Sequence, residues 1–383
     1  MNKEQLITGV YKKILLPLTS GNPEKIHNAI FSIMNHSDYS ETILNGLKNE
    51  FRLSNMPKVS IDALKTEFPS PFLLAGGLLK TGVGAATIAK FGPGGVDIGT
   101  LTLQRRDGNL PTRKEKLSDG KEITVRRIER FKDGTIINWM GLPNPGIKEA
   151  IETLRSMREK IDVPIILNIS PDPLLKDKEA IAKNLIEVLT PAYIYKPDAI
   201  TVNISCPNVE TGENREERHE DALWTIKTAA KILDDLEVKF KYRIPRLAKI
   251  GPDMFPKEIK EFIRATKENH YEGIVATNTT SDRTGARAKY AYIQKGGLSG
   301  PYLREKSLET VRLAREYDKE SGGLPLIIIG CGGISTYKDY QQMRKAGSDE
   351  IVELMSGFIF GGPYFFKKLN AEHKNNIQIK KHY

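Results

Sequence analysis

From Pro71 onward, short apolar runs alternate with longer segments whose apolar residues recur every three or four positions. The runs cover residues 72–76, 95–100, 164–169, 199–204, 246–250, 273–277, 324–329 and 350–354. Most place Ile, Val and Leu at consecutive positions, the pattern of a strand covered on both faces. The segments 178–189, 221–236, 256–269, 307–318 and 336–346 carry helical periodicity. Eight strands alternating with helices predict a parallel sheet, and eight such units are what a closed (β/α)8 TIM barrel requires. A doubly wound open sheet competes. It would place a Gly-rich dinucleotide fingerprint after its first strand, and none is present.

Ahead of the barrel the pattern differs. Leu6, Val10, Ile14 and Leu18 recur every four residues, with Ile7, Tyr11 and Leu15 beside them, predicting an amphipathic helix that Pro17 limits. Asn22, Pro23 and Glu24 read as an N-cap with proline at the first helical position. The helix that follows carries Ile26, Ile30, Phe31, Ile33 and Met34. Residues 1–68 are therefore expected to form a helical extension and 69–383 the barrel. An insertion at about 103–137 interrupts the barrel rhythm. Within it Ile123 and Val125 alternate with polar neighbours and predict extra strands over the barrel mouth. The extension either packs on the barrel or forms an apolar platform at a membrane interface.

Composition narrows the function. With 39% hydrophobic and 28% charged residues in 383, the chain supports a sizeable core. Two cysteines, Cys206 and Cys331, build no disulfide framework and suit a reducing compartment. The histidines are scattered, so no structural metal is expected. The net charge of +10 is concentrated in the insertion (Arg105, Arg106, Arg113, Lys114, Lys116, Arg126, Arg127, Arg130) and the tail. It suits an anionic substrate or membrane surface. No stripe of aromatics interleaved with basic residues points to nucleic acid. No run is apolar enough to span a membrane, and the start lacks a signal-peptide core.

In such barrels the active site lies at the C-terminal strand ends. Here those ends carry Lys80, Thr100, Asn168, Asn203, Lys249, Asn278 and Thr279. Asn138, Asn203, Asn208 and Asn278 offer neutral donors and acceptors suited to a planar ligand with amide-like edges, although each singly is more often a loop cap. Gly330, Gly332 and Gly333, followed by Ser335, and then Ser356 and Gly357 after the last strand, let backbone approach a phosphate. Cys206 sits in NISCPN just past a strand end. A thiol with an ordinary pKa near 8.5 serves as a general base more readily than a hydroxyl. Cys331, beside the glycines, reads as structural.

The segments AGGLLKTG, DIGTLT, IINWMGLPNPG, LNIS, VNISCPN, AKIGPD, ATNTT, GGLSG, IIGCGGI and SGFIFGGP appear in order from Pro71 to the tail. Together they resemble the dihydroorotate dehydrogenases, FMN-containing barrels of pyrimidine biosynthesis that oxidise dihydroorotate to orotate. The resemblance implies that Lys80, Asn138, Met140, Gly141, Leu142, Asn203, Asn208, Asn278 and Thr279 hold the substrate. It implies that Ala75, Gly76, Lys80, Thr100, Asn168, Asn203, Lys249, Thr277, Gly300, Gly332, Gly333, Ser356 and Gly357 surround FMN. Cys206 falls at the position of the base. The N-terminal extension, with its Pro-Glu-x-x-His run, together with ATNTT and SGFIF, resembles the membrane-associated class that passes electrons to a quinone. That implies a peripheral oxidoreductase on the cytoplasmic side of the cell membrane. Four features depart from that class: cysteine rather than serine at 206, the MGLPNPG segment, GTLTLQRRDGN, and Met355 in place of tyrosine. Fumarate or another soluble acceptor stays open. So do a dihydrouridine-synthase-like flavin barrel and a flavin-free binding barrel.

Overall fold

The computed structural model describes residues 23–117, 119–205 and 215–381. The amphipathic run at 6–18, Cys206 and Asn208 lie outside them. Two helices, α1 (Pro23–Asp38) and α2 (Glu41–Phe51), precede an antiparallel pair, β1 (Val59–Ile61) and β2 (Thr66–Phe68). Next come β3 (Phe72–Leu74), α3 (Ala85–Ala89) and β4 (Val96–Leu101). An excursion follows. β5 (Thr112–Lys116) and β6 (Glu122–Arg126) form an antiparallel ribbon, succeeded by β7 (Ile128–Arg130) and β8 (Ile136–Asn138). The alternation then resumes with α4 (Ile147–Met157), β9 (Ile165–Ile169), α5 (Lys178–Tyr195), β10 (Ala199–Asn203), α6 (Arg215–Phe240), β11 (Arg246–Ile250), α7 (Pro256–Glu268) and β12 (Gly273–Ala276). After β13 (Gly297–Ser299), which pairs with β8, come α8 (Arg304–Glu320), β14 (Ile327–Cys331), α9 (Tyr337–Ala346), β15 (Val352–Leu354), α10 (Ser356–Gly361) and α11 (Phe365–Lys381).

Eight strands close in the order β10-β11-β12-β14-β15-β3-β4-β9, with β9 returning to β10, all in parallel. The fold is a (β/α)8 barrel with a small helical extension in front. Consecutive strand residues are buried on both faces, which is why the sequence shows runs rather than alternation. Leu74, Val96, Ile98, Leu167 and Ile200 join the cluster shared with the outer helices. Leu73, Ile166, Leu247, Ile329 and Ile351 join a second cluster with Val59, Ile61, Leu64 and Phe68. The β1–β2 hairpin thereby stoppers the barrel at its N-terminal end.

Several boundaries depart from the periodicity, two of them for a plain reason. α5 runs through Pro191 to Tyr195, because Ala192, Tyr193 and Tyr195 are buried and their packing outweighs the one hydrogen bond proline removes. β14 starts at Ile327 rather than 324. Leu324 is exposed, and pairing of Gly330 and Cys331 with Val352 and Glu353 carries the strand further along.

Helix α1 is fixed at both ends. Near its start, Glu24 pairs with Arg127, whose Nη1 also donates to the carbonyls of Asn109 (2.7 Å) and Asp107 (3.0 Å). At its end the buried Asp38 carboxylate accepts from Gly84 N (2.6 Å), Thr87 N (2.8 Å) and Thr87 Oγ1 (2.7 Å). Among the described residues, no helix is long and apolar enough to cross a membrane.

Candidate active site

The C-terminal strand ends open into a cavity of about 420 Å³ with two unlike walls. Lys80, Thr100, Asn138, Asn168, Asn203, Asn278 and Thr279 line one. Ile30, Phe31 and Met34 of α1, with Phe91, Phe358 and Ile359, line the other. A smaller space of about 60 Å³ adjoins it, bounded by Ala75, Thr277, Cys331, Gly332, Gly333 and Ser356. Gly76, Lys249, Asn278, Thr279 and Met355 border both.

Hydrogen bonds hold the polar wall in place. Asn203 Nδ2 donates to Thr100 Oγ1 (2.8 Å), which donates to Asn168 Oδ1 (2.8 Å). Asn168 Nδ2 in turn donates to Asp97 Oδ2 (3.0 Å), so the chain runs from the rim into the barrel interior. Asn278 Nδ2 donates to the carbonyl (3.1 Å) and hydroxyl (3.2 Å) of Ser205, the residue directly before Cys206. Asn138 is set by β8, and its Nδ2 donates to Gly297 O (3.3 Å). Amides locked this way present fixed donors and acceptors to a bound ring.

Among the described residues, the charged side chains that border the cavity are all cationic: Lys80, Arg130 and Lys249. Burial pushes the Lys80 ammonium down to about 8; Glu24 opposes that shift and Arg127 adds to it. Burial pushes His27, on the α1 wall, down to about 3, so its ring is neutral and the wall stays apolar in character. The Arg127 hydrogen bond holds Glu24 below the usual carboxylate range. A half-buried ammonium, in a cavity whose other described charges are Arg130 and Lys249, is a receptor for a ligand carboxylate.

The smaller space suits a phosphate. Gly332 (φ 125°) and Gly333 (φ 74°) lie in the left-handed region. A Cβ on Gly332 would collide with Ser307 Oγ, and one on Gly333 would lie 2.6 Å from Arg304 Cβ. Backbone alone can occupy this turn, and it is left bare toward the space beside Ser356. Between the two spaces, Gly76, Thr100, Asn168, Lys249 and Thr277 offer a floor for a flat ring with polar edges.

Of the residues singled out in the sequence, Lys80, Asn138, Met140, Leu142, Asn203, Asn278 and Thr279 border the larger cavity, as do Gly76, Thr100, Asn168 and Lys249. Ala75, Thr277, Gly332, Gly333 and Ser356 border the smaller. Gly141, Gly300 and Gly357 border neither. Gly141 packs on Asn109, Gly300 on Gly134, and Gly357 on Ile334. Sequence reasoning missed the individual wall residues of α1, where the signal was the helical recurrence of Ile30, Phe31 and Met34. It also did not assign Phe91, Arg130 and Phe358 to the cavity, although Arg130 belongs to the basic insertion and Phe358 falls inside SGFIFGGP.

Comparison with known proteins agrees with this geometry. The profile of the family described as dihydroorotate dehydrogenase matches residues 58–377. The dihydroorotate dehydrogenase (quinone) of Vibrio vulnificus is 32% identical over 343 residues, covering 89% of this chain and 93% of that protein. That of Dichelobacter nodosus is 31% identical over 308 residues, covering 80% and 85%. DHODH from Eimeria tenella, solved with ferulenol, has a TM-score of 0.73 over 94% of this chain and 93% of that one; at 22% identity this is a likeness of fold. The extent of the profile match, with the identity and coverage of these relatives, establishes that the chain belongs to the dihydroorotate dehydrogenase family.

Proposed function

We propose that this chain oxidises dihydroorotate to orotate with FMN as cofactor and a quinone as the electron acceptor. The observation that carries this reading is that one cavity joins a hydrogen-bonding wall of amides and a lysine to an apolar wall supplied by α1. The names of the relatives, dihydroorotate dehydrogenase (quinone), point the same way. The donor set fits FMN: a side-chain-free turn at Gly332 and Gly333 for the phosphate, and Gly76, Thr100, Asn168 and Lys249 around a ring. When bound, FMN supplies the acceptor for the hydride that leaves C6 of the substrate.

The protein's own groups do the rest. Lys80 pairs with the substrate carboxylate. The amides of Asn138, Asn203, Asn208 and Asn278 and the Thr279 hydroxyl hold the ring edges, fixing its orientation. Cys206, as thiolate, takes the proton from C5. It follows directly on Ser205, whose carbonyl and hydroxyl accept from the cavity-lining Asn278. Ile30, Phe31 and Met34 offer a quinone an apolar approach and keep water from the floor. We place the protein at the cytoplasmic face of the cell membrane, bound peripherally through the N-terminal extension.

Two measurements test this. Cys206→Ala should remain yellow and FMN-loaded yet lose most flavin reduction by dihydroorotate; unchanged reduction kinetics would remove Cys206 from the mechanism. Steady-state oxidation of dihydroorotate should run with a quinone and not with fumarate. Turnover with fumarate alone would overturn the acceptor.

A further inference from the structure

Three charged side chains meet inside the barrel just below the cavity, and they do not balance. Asp97 on β4, Lys249 on β11 and Glu353 on β15 are all buried. Lys249 Nζ lies 2.9 Å from Glu353 Oε2 and 4.0 Å from Asp97 Oδ2. Asp97 Oδ2 also accepts from Asn168. The remaining oxygens, Asp97 Oδ1 and Glu353 Oε1, are buried without a hydrogen-bond partner. Two ionised carboxylates against one ammonium would leave a net negative charge and two orphaned acceptors in a closed interior. Proteins avoid that arrangement by retaining a proton.

We propose that Asp97 and Glu353 share one proton, using the two oxygens that otherwise lack partners. The pair is thereby a positioning device that holds Lys249 and sets the charge of the layer beneath the cavity. The two carboxyl groups converge on one ammonium, at 4.0 and 2.9 Å from Lys249 Nζ, which brings them together. Burial, and then the Glu353 charge, push Asp97 up to about 8, in keeping with a retained proton. Among the described residues, Cys331 on β14 is the other titratable group facing the cluster. Burial pushes its thiol up to about 12, so it stays neutral. Asn168 on β9 and Asn203 on β10 are uncharged.

The layer sits against the proposed cofactor floor. Lys249 borders both spaces, and a Cβ on Gly76 would lie 2.9 Å from Asp97 Oδ2. With the proton in place the three groups sum to zero; once it leaves, they sum to −1. A negative layer disfavours electron uptake directly above it, so a bound flavin should become harder to reduce as rising pH removes that proton. The shared proton stands independently of the cofactor; its influence on a flavin rests on the FMN reading.

Infrared spectroscopy of the full chain at neutral pH tests the proton. A carbonyl stretch of a neutral, buried carboxyl group should appear, move in heavy water, and vanish in both Glu353→Gln and Asp97→Asn. Absence of that band from the native protein overturns the proposal without any variant, and so does a band that survives either substitution. For the holoenzyme, the flavin midpoint potential should show an added downward bend on the alkaline side, where the raised Asp97 group loses its proton, that Glu353→Gln removes. Identical pH profiles would overturn the coupling while leaving the FMN reading intact.

Discussion

Asp38→Ala isolates what α1 contributes to the cavity. The substitution removes an acceptor on which Gly84 N, Thr87 N and Thr87 Oγ1 converge, at 2.6, 2.8 and 2.7 Å. Hydrogen bonds to a charged group contribute about 1.5–3 kcal/mol each, so the gross loss is roughly 4–9 kcal/mol. Part is offset, because burial raises the Asp38 pKa and the native carboxylate already bears that desolvation cost. Freed amides also regain water once the helix lifts. A net of about 3 kcal/mol remains, or about a hundredfold in the docking equilibrium of α1. The barrel pairs its strands without α1 and should stay folded. Amide exchange at Gly84 and Thr87 should therefore accelerate about a hundredfold. Anaerobic flavin reduction by dihydroorotate should persist while quinone turnover falls. Unchanged exchange at those two amides would refute the anchoring argument. An equal loss of both half-reactions would refute the division of labour between the walls.

Lys80→Met should weaken orotate binding by about ten- to a hundredfold, the worth of one charge-assisted hydrogen bond. Because burial sets Lys80 at about 8, its charge is present below that pH and lost above it. Orotate affinity of the native enzyme should then decline as pH rises past about 8, and more steeply than in the variant, as titrations followed by flavin absorbance would show. A flat native profile would exclude Lys80 as the carboxylate partner. Gly332→Ala forces a side chain into a left-handed turn and against Ser307 Oγ, so the protein should purify largely free of FMN. Full flavin occupancy by absorbance ratio would show that the turn does not hold the phosphate.

The barrel was legible because burial on both strand faces writes long Ile and Val runs such as IIL at 165–167 and III at 327–329. The polar wall was legible because most of its side chains sit at or near the C-terminal end of such a run. Gly141, Gly300 and Gly357 were harder. Their neighbours match motifs, and each glycine allows a close approach to a neighbouring segment that a side chain would block. The Asp97–Lys249–Glu353 cluster was written in the sequence as VDI, AKI and VEL, one charge inside each of three apolar runs. A single charge in a strand reads as an outward position. Only closure of the barrel turns three distant strands inward onto one another. The contribution of α1 to the cavity depends on long-range pairs such as Glu24 with Arg127, which no local spacing encodes.

Arg127 has a consequence for how small molecules would be felt. It lies one residue before β7 and holds the Asp107 and Asn109 carbonyls, and the Trp139 amide, next to Asn138, donates to its own carbonyl. A compound wedged under α1 would drag Glu24, and so tug this knot from its far side. Occupants of the greasy half and of the amide half would thus register each other without touching, and inhibitors of the former should change how long orotate lingers in the latter.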